Sequence, residues 1–461
     1  MKKTVCELFA GVGGFRCGLN HIMSIEDKNK NEKWKTTWFS QWEPLEKTTQ
    51  WAHSCYVNRF ETCLDLQGND TTNVDINSVN KKDVPDHNLL VGGFPCQDYS
   101  VASSLATSKG LEGKKGVLWW DIRDILETKK PAFVLLENVD RLIKSPARQR
   151  GRDFGVILAC FQDLGYSVEW RVINAAEYGY QQRRKRIFIF AYRNDTKYAK
   201  RISKNTKYRL SDEENLRLLS AQKIIFSAGF FVNSFPIVDL ENPKIKTAIL
   251  PNEIGEVSSH FHFKFENSGF MKDGIIYTSK TEPNYGDNQI TLGDILEDGY
   301  VSETFFIPKN KLYYTDKNIT RSDETKERLP IEKRKTWQYI KGGKKLPRKS
   351  KEGHSYIYSE GAISMIDAYN KPARTMLTNE GGFSRSTHIV KDKKTGEIRL
   401  LTPIEMERIQ GFPSDWTKEA IVDGKIIEVP LNKRRFMMGN ALVVNLISQM
   451  EKQLSNIFEK E

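Results

Sequence analysis

Hydrophobic residues in the first two hundred positions form short continuous runs, and most runs are followed by a stretch with helical periodicity. The runs have the length of buried strands and are bounded by glycine or polar residues. They predict strands at Thr4–Phe9, Thr37–Trp42, Leu89–Gly92, Phe133–Glu137, Val168–Ile173 and Ile187–Tyr192. The helical patterns pass through Leu19 and Ile22, run toward Tyr56 and Phe60, and cover Val117–Leu126 and Gly155–Leu164. This alternation predicts an α/β fold with a doubly wound, mostly parallel sheet.

The pattern changes near Asp195. From there to about Val390 the chain is polar, rich in Asn, Lys and Ser, and interrupted by many breakers, which predicts a second, smaller and irregular α+β domain. Helical patterns return at Pro403–Ile409 and Asn440–Phe458. We therefore expect a catalytic first segment, a second domain and a returning catalytic segment, with bounds 1–199, 200–398 and 399–461.

Composition narrows the class of protein only a little. A chain of 461 residues with 39% hydrophobic content has room for two or three domains and a large core. Lys and Arg number 71 against 59 acidic residues, a net charge of +12 that is compatible with a polyanionic partner. The six cysteines include no Cys-x-x-Cys pair, so we expect neither a disulfide scaffold nor a metal site. The N-terminus lacks an apolar signal stretch and nothing approaches the roughly 20 apolar residues of a membrane span, which predicts a cytoplasmic protein.

A glycine-rich turn, Phe9 to Phe15, closes the first strand and opens a helix. Gly11, Gly13 and Gly14 would let the backbone approach a ligand at the carboxyl end of the sheet. Their spacing differs from the Gly-x-Gly-x-x-Gly of dinucleotide enzymes. A plain strand-to-helix turn is the alternative.

Two acidic positions come next along the chain. Glu43 ends the second strand, where a carboxylate can accept hydrogen bonds from ribose hydroxyls. Asp75 and Ile76 precede the third strand and could cover an adenine ring. Taken alone, Glu43 is better explained as an ordinary surface residue, and the Asp75-Ile76 pair has meaning only in the context of the other motifs.

The sharpest element is Gly92-Gly93-Phe94-Pro95-Cys96-Gln97, which puts a cysteine on a loop straight after an apolar strand. A thiol at the active edge of a sheet is a better candidate nucleophile than a core thiol. The other five cysteines, namely Cys6, Cys17, Cys55, Cys63 and Cys160, are expected to be inert core residues.

A carboxylate and two guanidinium groups accompany this thiol. Glu137, in Glu137-Asn138-Val139, ends the fourth strand and should sit near Cys96, where it could carry a proton to a heterocyclic nitrogen. Strand alternation puts Arg184 and Arg186 on one face, from which they could hold a base carbonyl, the catalytic Glu or a phosphate. A solvated Glu and a charge run that guards an apolar strand are the alternatives.

Together, in this order, these elements resemble the cytosine-5 DNA methyltransferase family, particularly the bacterial restriction-modification type. The resemblance covers about half of the chain. Its motifs are Phe9-Ala10-Gly11-Val12-Gly13-Gly14, Glu43, Asp75-Ile76, Phe94-Pro95-Cys96-Gln97, Glu137-Asn138-Val139, Gln182-x-Arg184-x-Arg186, Arg399-Leu400-Leu401-Thr402-Pro403-x-Glu405, Arg408-x-Gln410-Gly411-Phe412-Pro413 and Gly439-Asn440-Ala441.

The resemblance implies a Rossmann-like methyltransferase that uses S-adenosylmethionine to methylate carbon 5 of a flipped cytosine in double-stranded DNA. Cys96 would add to carbon 6, Glu137 would act on ring nitrogen 3, and Arg184, grouped with Arg186, would orient Glu137 and the base. The implied cofactor pocket consists of Phe9, Gly11, Gly13, Gly14, Glu43, Asp75, Ile76, Phe94 and Asn440. The last helix would return to the first domain and make it discontinuous.

The resemblance also implies the parts that handle DNA. The stretch Ser100–Gly116 resembles the loop that closes over the flipped base, and residues 200–398 correspond to the target-recognition domain. Pro372-Ala373-Arg374-Thr375-Met376 resembles an element near the flipped base, which predicts DNA contacts for Arg374 and Thr375. One departure is Pro44, which follows Glu43 where many relatives have an aromatic or acidic residue, so adenine stacking could come from Trp42 or a later residue.

A basic segment lies within the predicted recognition domain. Nine of the residues from Lys333 to Lys351 are basic and none is acidic. Lys344, Lys345, Arg348 and Lys349 are predicted to grip phosphates, with Trp337 and Tyr339 packing or stacking among them. A solvated charged loop is the alternative.

We expect the protein to act on DNA as a monomer, outside membranes, with any cognate restriction endonuclease acting separately. An RNA methyltransferase of the same fold is the nearest rival, although the long second domain favours duplex DNA. A catalytically inactive DNA-binding module and a nucleotide-dependent oxidoreductase are the others. The retained Cys96, Glu137 and Arg184 argue against the first of these two, and the glycine spacing argues against the second. The target sequence cannot be read from these residues.

Overall fold

The structure is a computed structural model that describes residues 1–29, 32–43, 49–94, 118–203, 213–313, 335–350 and 353–461. Its strands are β1 Thr4–Leu8, β2 Lys35–Ser40, β3 Leu89–Gly93, β4 Phe133–Val139, β5 Tyr166–Asn174, β6 Lys185–Arg193, β7 Lys246–Ile249, β8 Ser268–Lys272, β9 Ile275–Ser279, β10 Lys344–Lys349, β11 Ser355–Glu360, β12 Ile389–Lys391, β13 Ile398–Leu400, β14 Glu419–Val422 and β15 Lys425–Glu428.

The α-helices of the same ranges alternate with these strands. They are α1 Gly14–Leu19, α2 Trp51–Phe60, α3 Trp119–Lys129, α4 Arg152–Asp163, α5 Lys197–Ser203, α6 Glu213–Lys223, α7 Phe230–Ser234, α8 Ile254–His260, α9 Leu292–Ile295, α10 Lys309–Leu312, α11 Trp337–Lys341, α12 Pro403–Gln410, α13 Leu431–Asn440 and α14 Val444–Lys460. Short 3-10 turns cover Ile25–Asn29, Ile76–Ser78, Asp140–Lys144, Ala175–Tyr178 and Glu303–Phe305, and a π turn covers Ile224–Ala228.

Within the described residues, nine strands form one sheet in the order β2-β1-β3-β4-β6-β5-β8-β9-β7. The neighbours from β2 to β4 are parallel, and the neighbours from β4 across to β7 are antiparallel. Six of these nine strands, β1 to β5 and β9, therefore point the same way. The predicted doubly wound, mostly parallel α/β fold is confirmed.

The central strands are covered on both faces, which explains why they appear as continuous apolar runs. In β4, Phe133 and Leu135 belong to one buried cluster, whereas Val134 and Leu136 belong to the cluster on the opposite face. Helices α3 and α4 contribute to the cluster that holds Val134, and α1 and α14 contribute to the other. Burial on both faces removes the polar alternation of a half-exposed strand.

The main sheet extends beyond residue 200. Strands β7, β8 and β9 lie within 246–279, and β8 pairs with β5 of the first segment. The first part of the predicted second domain therefore continues the catalytic sheet. Described residues further on form three separate two-stranded sheets, β10-β11, β12-β13 and β14-β15.

The C-terminal helix α14 packs against the first segment of the chain. The Met1 amino group donates to the Phe458 carbonyl at 2.8 Å, and Trp34 Nε1 donates to Glu451 Oε1 at 2.9 Å. A Cβ added at Gly18 of α1 would lie 2.5 Å from the Ile447 Cβ, so the two helices are in close contact. Residues at the two ends of the chain thus share one core.

A buried ion pair joins the second region to the returning segment. Arg399 in β13 donates to both carboxylate oxygens of Glu405, at 2.8 and 2.7 Å, and to Asp392 at 2.9 Å. Glu405 also closes a capping box with Thr402 at the start of α12. The two-pronged geometry of a guanidinium suits a carboxylate. These contacts explain the spacing of the motif from Arg399 to Glu405.

Candidate active site

The site lies at the carboxyl ends of the parallel strands, where the chain order reverses. Strand β1 lies between β2 and β3, so successive connections leave it in opposite directions. Open α/β sheets bind ligands in the crevice at such a point. Phe9 directly follows β1 and has a left-handed φ of 55°, an uncommon conformation for a residue that is not glycine.

The glycines after β1 differ in what surrounds them. Gly11 has a φ of 57°, and a Cβ there would meet nothing within 4 Å, so the backbone borders open space. Gly13 has a φ of 88°, and a Cβ there would lie 2.5 Å from the Phe60 ring. A Cβ at Gly14 would lie 3.1 Å from the Leu442 Cγ. Packing therefore explains Gly13 and Gly14, and Gly11 is the position that leaves room for a ligand.

Glu43 is tied to the glycine turn by Gln41, which was not among the predicted site residues. The Gly11 amide donates to Gln41 Oε1 at 2.7 Å, and Gln41 Nε2 donates to Glu43 Oε1 at 3.5 Å. The Glu43 backbone also exchanges two hydrogen bonds with the Gln50 side chain, at 2.7 and 2.8 Å. A polar residue directly after a buried strand was the available signal for Gln41. Pro44 lies outside the described residues.

Asp75 and Ile76 form the turn that precedes β3. The Asp75 carboxylate accepts the Asn77 amide at 3.1 Å and caps the turn. Ile76 is only 4% exposed and belongs to the same apolar cluster as Phe94. The position of Ile76 is thus fixed by the core as well as by the turn.

Glu137 lies beside the strand that leads to Cys96. Its Cα is in register with Gly93 of β3, and a Cβ at Gly93 would lie 3.3 Å from Glu137 Oε2. Arg186 Nε lies 2.8 Å from Glu137 Oε1, and the two side chains are 15% and 12% exposed. This largely buried ion pair therefore lies beside Gly93, which precedes Cys96 by three residues in the sequence. Pro95, Cys96, Gln97 and the predicted closing loop Ser100–Gly116 lie outside the described residues.

Asn138 connects the strand of Glu137 to Phe94. It is 2% exposed, and its Nδ2 donates to the Phe94 carbonyl at 2.9 Å. Phe94 itself is buried and packs at 5.8 Å against the Trp119 ring. This hydrogen bond thus fixes the position of Phe94, which precedes Cys96 by two residues in the sequence.

Arg184 does not make the contact with Glu137 that we expected of it. Its Nη1 donates to the Met376 carbonyl at 3.0 Å and its Nη2 to the Gly439 carbonyl at 3.3 Å. Strand β6 begins at Lys185, so Arg184 precedes the strand and the predicted alternation with Arg186 does not extend to it. Burial and the neighbouring Arg186 lower the pKa of Arg184 to about 9, while Glu137 acts in the opposite direction.

Asn440 is the exposed last residue of α13. The preceding Gly439 is buried against residues 377–378, where a Cβ would lie 2.4 Å from the Leu377 carbonyl carbon and the Thr378 nitrogen. This contact requires glycine and brings the end of α13 against the residues that directly follow the predicted recognition element.

The five cysteines other than Cys96 are poor nucleophiles. Cys6, Cys17, Cys55 and Cys160 are buried, and burial raises the pKa of each thiol, to about 12 for Cys55 and Cys160. Burial also raises the pKa of the half-buried Cys63. A thiol with a raised pKa forms little thiolate at neutral pH.

The Arg374 guanidinium donates its hydrogen bonds within the protein. These contacts do not fit the predicted DNA contact, which would need the same donors. Arg374 Nε donates to Asp367 Oδ1 at 2.6 Å and its Nη2 to Asp367 Oδ2 at 3.1 Å. Further bonds, each 3.0 Å long, reach the carbonyls of Ser386 and Thr387. The Thr375 hydroxyl is half-buried and donates to the Arg183 carbonyl at 2.5 Å.

The described part of the basic segment contains α11 and β10, and β10 forms a hairpin with β11. Lys344 is buried, and its Nζ donates to the carbonyls of Ile340 and Gly342, so it does not fit the predicted phosphate contact. Lys345, Arg348 and Lys349 are exposed, and the Arg348 guanidinium lies 3.7 Å from the centre of the Tyr358 ring.

The two aromatic residues of this segment belong to the protein core. Trp337 and Tyr339 are buried, and the Trp337 ring packs at 4.9 Å against Phe383. They therefore pack rather than stack on bases. Lys333, Arg334 and Lys351 lie outside the described residues.

The chain resembles known proteins along almost its whole length. Residues 3–456 match the family model of the C-5 cytosine-specific DNA methylases. The type II methyltransferase M.Sau3AI of Staphylococcus aureus is 41% identical over 459 residues, which are 99% of this chain and 96% of that protein. The chain belongs to the C-5 cytosine-specific DNA methylase family.

Other relatives match this DNA cytosine-5 methyltransferase over a smaller share of the chain or at lower identity. The type II methyltransferase M.HhaI of Haemophilus parahaemolyticus is 32% identical over 189 residues, 41% of this chain and 49% of that protein. The solved Dnmt2 methyltransferase of S. pombe is 13% identical with a TM-score of 0.51, over 99% of this chain and 98% of that one. The latter supports the fold alone.

Three buried amides of the methyltransferase lie within its sequence motifs, and the sequence alone predicts no role for them. Asn138, Gln182 and Gln410 are at most 2% exposed, and each side chain is hydrogen-bonded. Buried amides are normally hydrogen-bonded, as these three are. None of the helices in the described ranges is long and apolar enough to cross a bilayer.

Proposed function

We propose that this methyltransferase is site-specific and transfers a methyl group from S-adenosylmethionine to carbon 5 of a flipped cytosine in double-stranded DNA, through a covalent bond to Cys96. The observation that carries the proposal is the Glu137–Arg186 ion pair, which stands against Gly93 at the start of the cysteine loop. A target base must leave the stack before a side chain can attack its ring carbon.

Cys96 is the nucleophile in this proposal. The other five thiols are half-buried or buried, with raised pKa values, which leaves Cys96 as the remaining cysteine. Its sulfur forms a bond to carbon 6, and the ring electrons move toward nitrogen 3 and carbon 5. The later loss of the carbon 5 proton breaks the carbon–sulfur bond and frees the enzyme.

Glu137 acts on ring nitrogen 3 as a proton or hydrogen-bond donor. Such assistance makes attack at carbon 6 easier, because negative charge on the ring is neutralised as it develops. Arg186 holds the Glu137 carboxylate at 2.8 Å and is two residues from the buried Arg184. The pair keeps the carboxylate oriented when the base arrives.

S-adenosylmethionine supplies an electrophilic methyl group, and the described residues fit such a cofactor. Gly11 borders open space, and Gln41 links its amide to the Glu43 carboxylate. A carboxylate there can accept the two hydroxyls of a ribose. Asp75, Asn440 and the core-held Ile76 add polar and apolar groups suited to an adenosine, and Phe9, Gly13, Gly14 and Phe94 shape the turn around it.

The DNA interface is proposed for the part of residues 200–398 that lies beyond the main sheet. The exposed Lys345, Arg348 and Lys349 of the β10–β11 hairpin are suited to phosphate contacts. Arg374 and Lys344 are proposed as internal supports of this region, since their donors are used within the protein. The Thr375 hydroxyl donates to the Arg183 carbonyl and so holds the recognition element against the residues before β6.

A place in a restriction-modification system follows from the type II relatives and is part of the proposal. The enzyme would act as a monomer, because two strands can be methylated in separate events, and a cognate endonuclease would act on its own. Resistance of the modified DNA to an endonuclease of the same target would support this role.

Bisulfite sequencing of DNA from cells that express the protein tests the proposed reaction directly. Cytosines protected from conversion within one short repeated sequence are the expected result. The Cys96→Ala variant should protect none of them. Protection without a common sequence, or methyl incorporation into tRNA instead of duplex DNA, would contradict the proposal.

A further inference from the structure

Four separate chain segments meet in a closed set of buried hydrogen bonds beside the proposed site. We name it the junction ring and define it by Gln182, Arg184, Met376, Gln410 and the pair Met438–Gly439. Gln182, Gln410, Met376 and Met438 are 0% exposed and Arg184 is 3% exposed. The ring joins the residues before β6, the recognition element, the end of α12 and the end of α13.

The two glutamines form one half of the junction ring. Gln182 Nε2 donates to Gln410 Oε1 at 3.2 Å and to the Ile409 carbonyl at 3.3 Å. Gln410 Nε2 in turn donates to the Met438 carbonyl at 2.6 Å. Gln182 Oε1 accepts the Met376 amide at 3.3 Å, so both ends of this side chain are used.

Arg184 closes the other half. It donates to the carbonyls of Met376 and Gly439, at 3.0 and 3.3 Å. The backbone is joined here as well, because the Arg183 amide donates to the Ala373 carbonyl at 2.8 Å. Residues 373–376 are therefore held to residues 182–184 by side chains and main chain together.

The junction ring leads directly to the catalytic ion pair. Arg186 follows Arg184 by two residues and contacts Glu137, and Asn440 follows Gly439. A buried amide that loses one partner leaves a polar group unpaired, which is unfavourable in a core. Movement of residues 373–376 is consequently resisted unless residues 182–186 follow.

We propose that Gln182 is a positioning residue, which through the junction ring makes the placement of Arg186 against Glu137 depend on the position of the recognition element. This inference rests on the proposed function, since it takes Glu137 as the group that acts on the base. A correctly seated target fixes residues 373–376 and so holds the ion pair in its productive place. A wrong target leaves that element displaced, and the ion pair with it.

The test uses the full-length enzyme and the variants Gln182→Met and Gln410→Met, which keep side-chain length but remove the hydrogen bonds. Gln149→Met is the matched control, because Gln149 Nε2 donates to the carbonyls of Ser258 and Phe261, at 3.2 and 3.0 Å, without taking part in the junction ring. Single-turnover methyl transfer is measured on the target duplex and on a duplex with one base pair changed. Rates are divided by the active fraction, taken from the amount of covalent adduct with 5-fluorocytosine DNA.

Gln182→Met should lower the rate per active site on the target duplex by roughly tenfold to a hundredfold, as expected for small misplacements of reacting groups. It should also bring the rates on the two duplexes closer together. A merely structural role would lower the active fraction and leave both quantities unchanged. Because the two glutamines act in one ring, the double variant should be no slower than the slower single variant.

Wild-type rates per active site and wild-type discrimination in Gln182→Met and Gln410→Met would overturn the inference. Losses that multiply in the double variant, or that Gln149→Met shares, would overturn it too. If Gln182→Met does not fold, Gln410→Met gives the same test from the other side of the ring. Failure of the proposed function is seen separately, as a wild-type enzyme that forms no adduct and methylates no cytosine.

Discussion

Arg186 Nε lies 2.8 Å from Glu137 Oε1 in a largely buried ion pair at the active edge of the sheet. The pair joins β4 to the antiparallel strand β6, whose backbones are in register from Val139 to Phe133. Since both strands are held by hydrogen bonds along their length, the sheet fixes the backbone positions of Glu137 and Arg186. The side-chain placement of Arg186 against Glu137 is what we propose to depend, through the junction ring, on the recognition element.

Glu137→Gln should lower the single-turnover rate of methyl transfer by about a hundredfold to ten-thousandfold, the range for loss of a general acid or base. The amide can still donate a hydrogen bond to nitrogen 3, but it cannot transfer a proton. Rapid-quench assays with labelled cofactor give the rate. Glu127→Gln, at an exposed carboxylate that pairs with Arg123, is the control and should match wild type. Near wild-type activity in Glu137→Gln would remove Glu137 from the reaction.

Glu43→Ala should weaken S-adenosylmethionine binding more than it slows transfer at saturating cofactor. Loss of hydrogen bonds to a charged acceptor costs about 1.5–3 kcal/mol, roughly a tenfold to hundredfold increase in Kd. Calorimetry measures Kd, and Glu61→Ala on the exposed end of α2 serves as the comparison. An unaltered Kd in Glu43→Ala would place the ribose elsewhere.

Neutralising Lys345, Arg348 and Lys349 together, each to Gln, should weaken binding to every duplex and flatten its salt dependence. Each phosphate contact that is lost should reduce the slope of log K against log salt by about 0.9. Fluorescence anisotropy across a salt series measures it. Lys344→Gln should instead lower thermal stability and keep the slope, because Lys344 Nζ is bonded inside the protein. Equal slopes in the triple variant and wild type would show that the hairpin does not touch phosphate.

The catalytic sheet was predictable because its strands are buried on both faces. Continuous apolar runs identified β1, β3, β4 and β6 to within two residues at each end. No apolar run predicts strand β7, because it is a short edge strand whose residues 246–249 are largely exposed. Its pairing depends on β9, which no local pattern reveals.

The roles of individual charged residues were harder to predict, because their partners are distant in sequence. Arg184 binds carbonyls that lie 192 and 255 residues away, and Arg186 pairs with Glu137 on another strand. Lys344 is a partial exception. Lys344 and Leu346 are two residues apart in β10, so strand alternation places both side chains on the same, buried face. The sequence did contain this signal.

Glu7 predicts a pH dependence of stability that is independent of catalysis. Burial raises the pKa of Glu7 from its ordinary value of 4.5 to about 7, although the Tyr56 hydroxyl donates to it at 2.9 Å. The folded state therefore prefers the protonated form. Stability from this group is fully present below about pH 4.5 and is lost as the pH rises through 7.

Glu7→Gln cannot ionise and should be spared this loss. The difference in free energy of unfolding between Glu7→Gln and wild type should change in favour of the variant from pH 5 to pH 8. The size of this change should be on the order of 3 kcal/mol. Urea denaturation at several pH values measures the difference, and Glu127→Gln should follow wild type throughout. A constant difference across this range would mean that Glu7 is already ionised in the folded protein.

The central claim is that Cys96 attacks the cytosine, and covalent trapping tests it most directly. Fluorine at carbon 5 cannot leave as the proton does, so a duplex with 5-fluorocytosine at the target should remain bonded to the enzyme after methyl transfer. Peptide mapping by mass spectrometry should then find the modified nucleotide on the peptide that contains Cys96, and the Cys96→Ala variant should form no adduct. An adduct on Cys63 or another cysteine, or methylation by Cys96→Ala, would contradict the account.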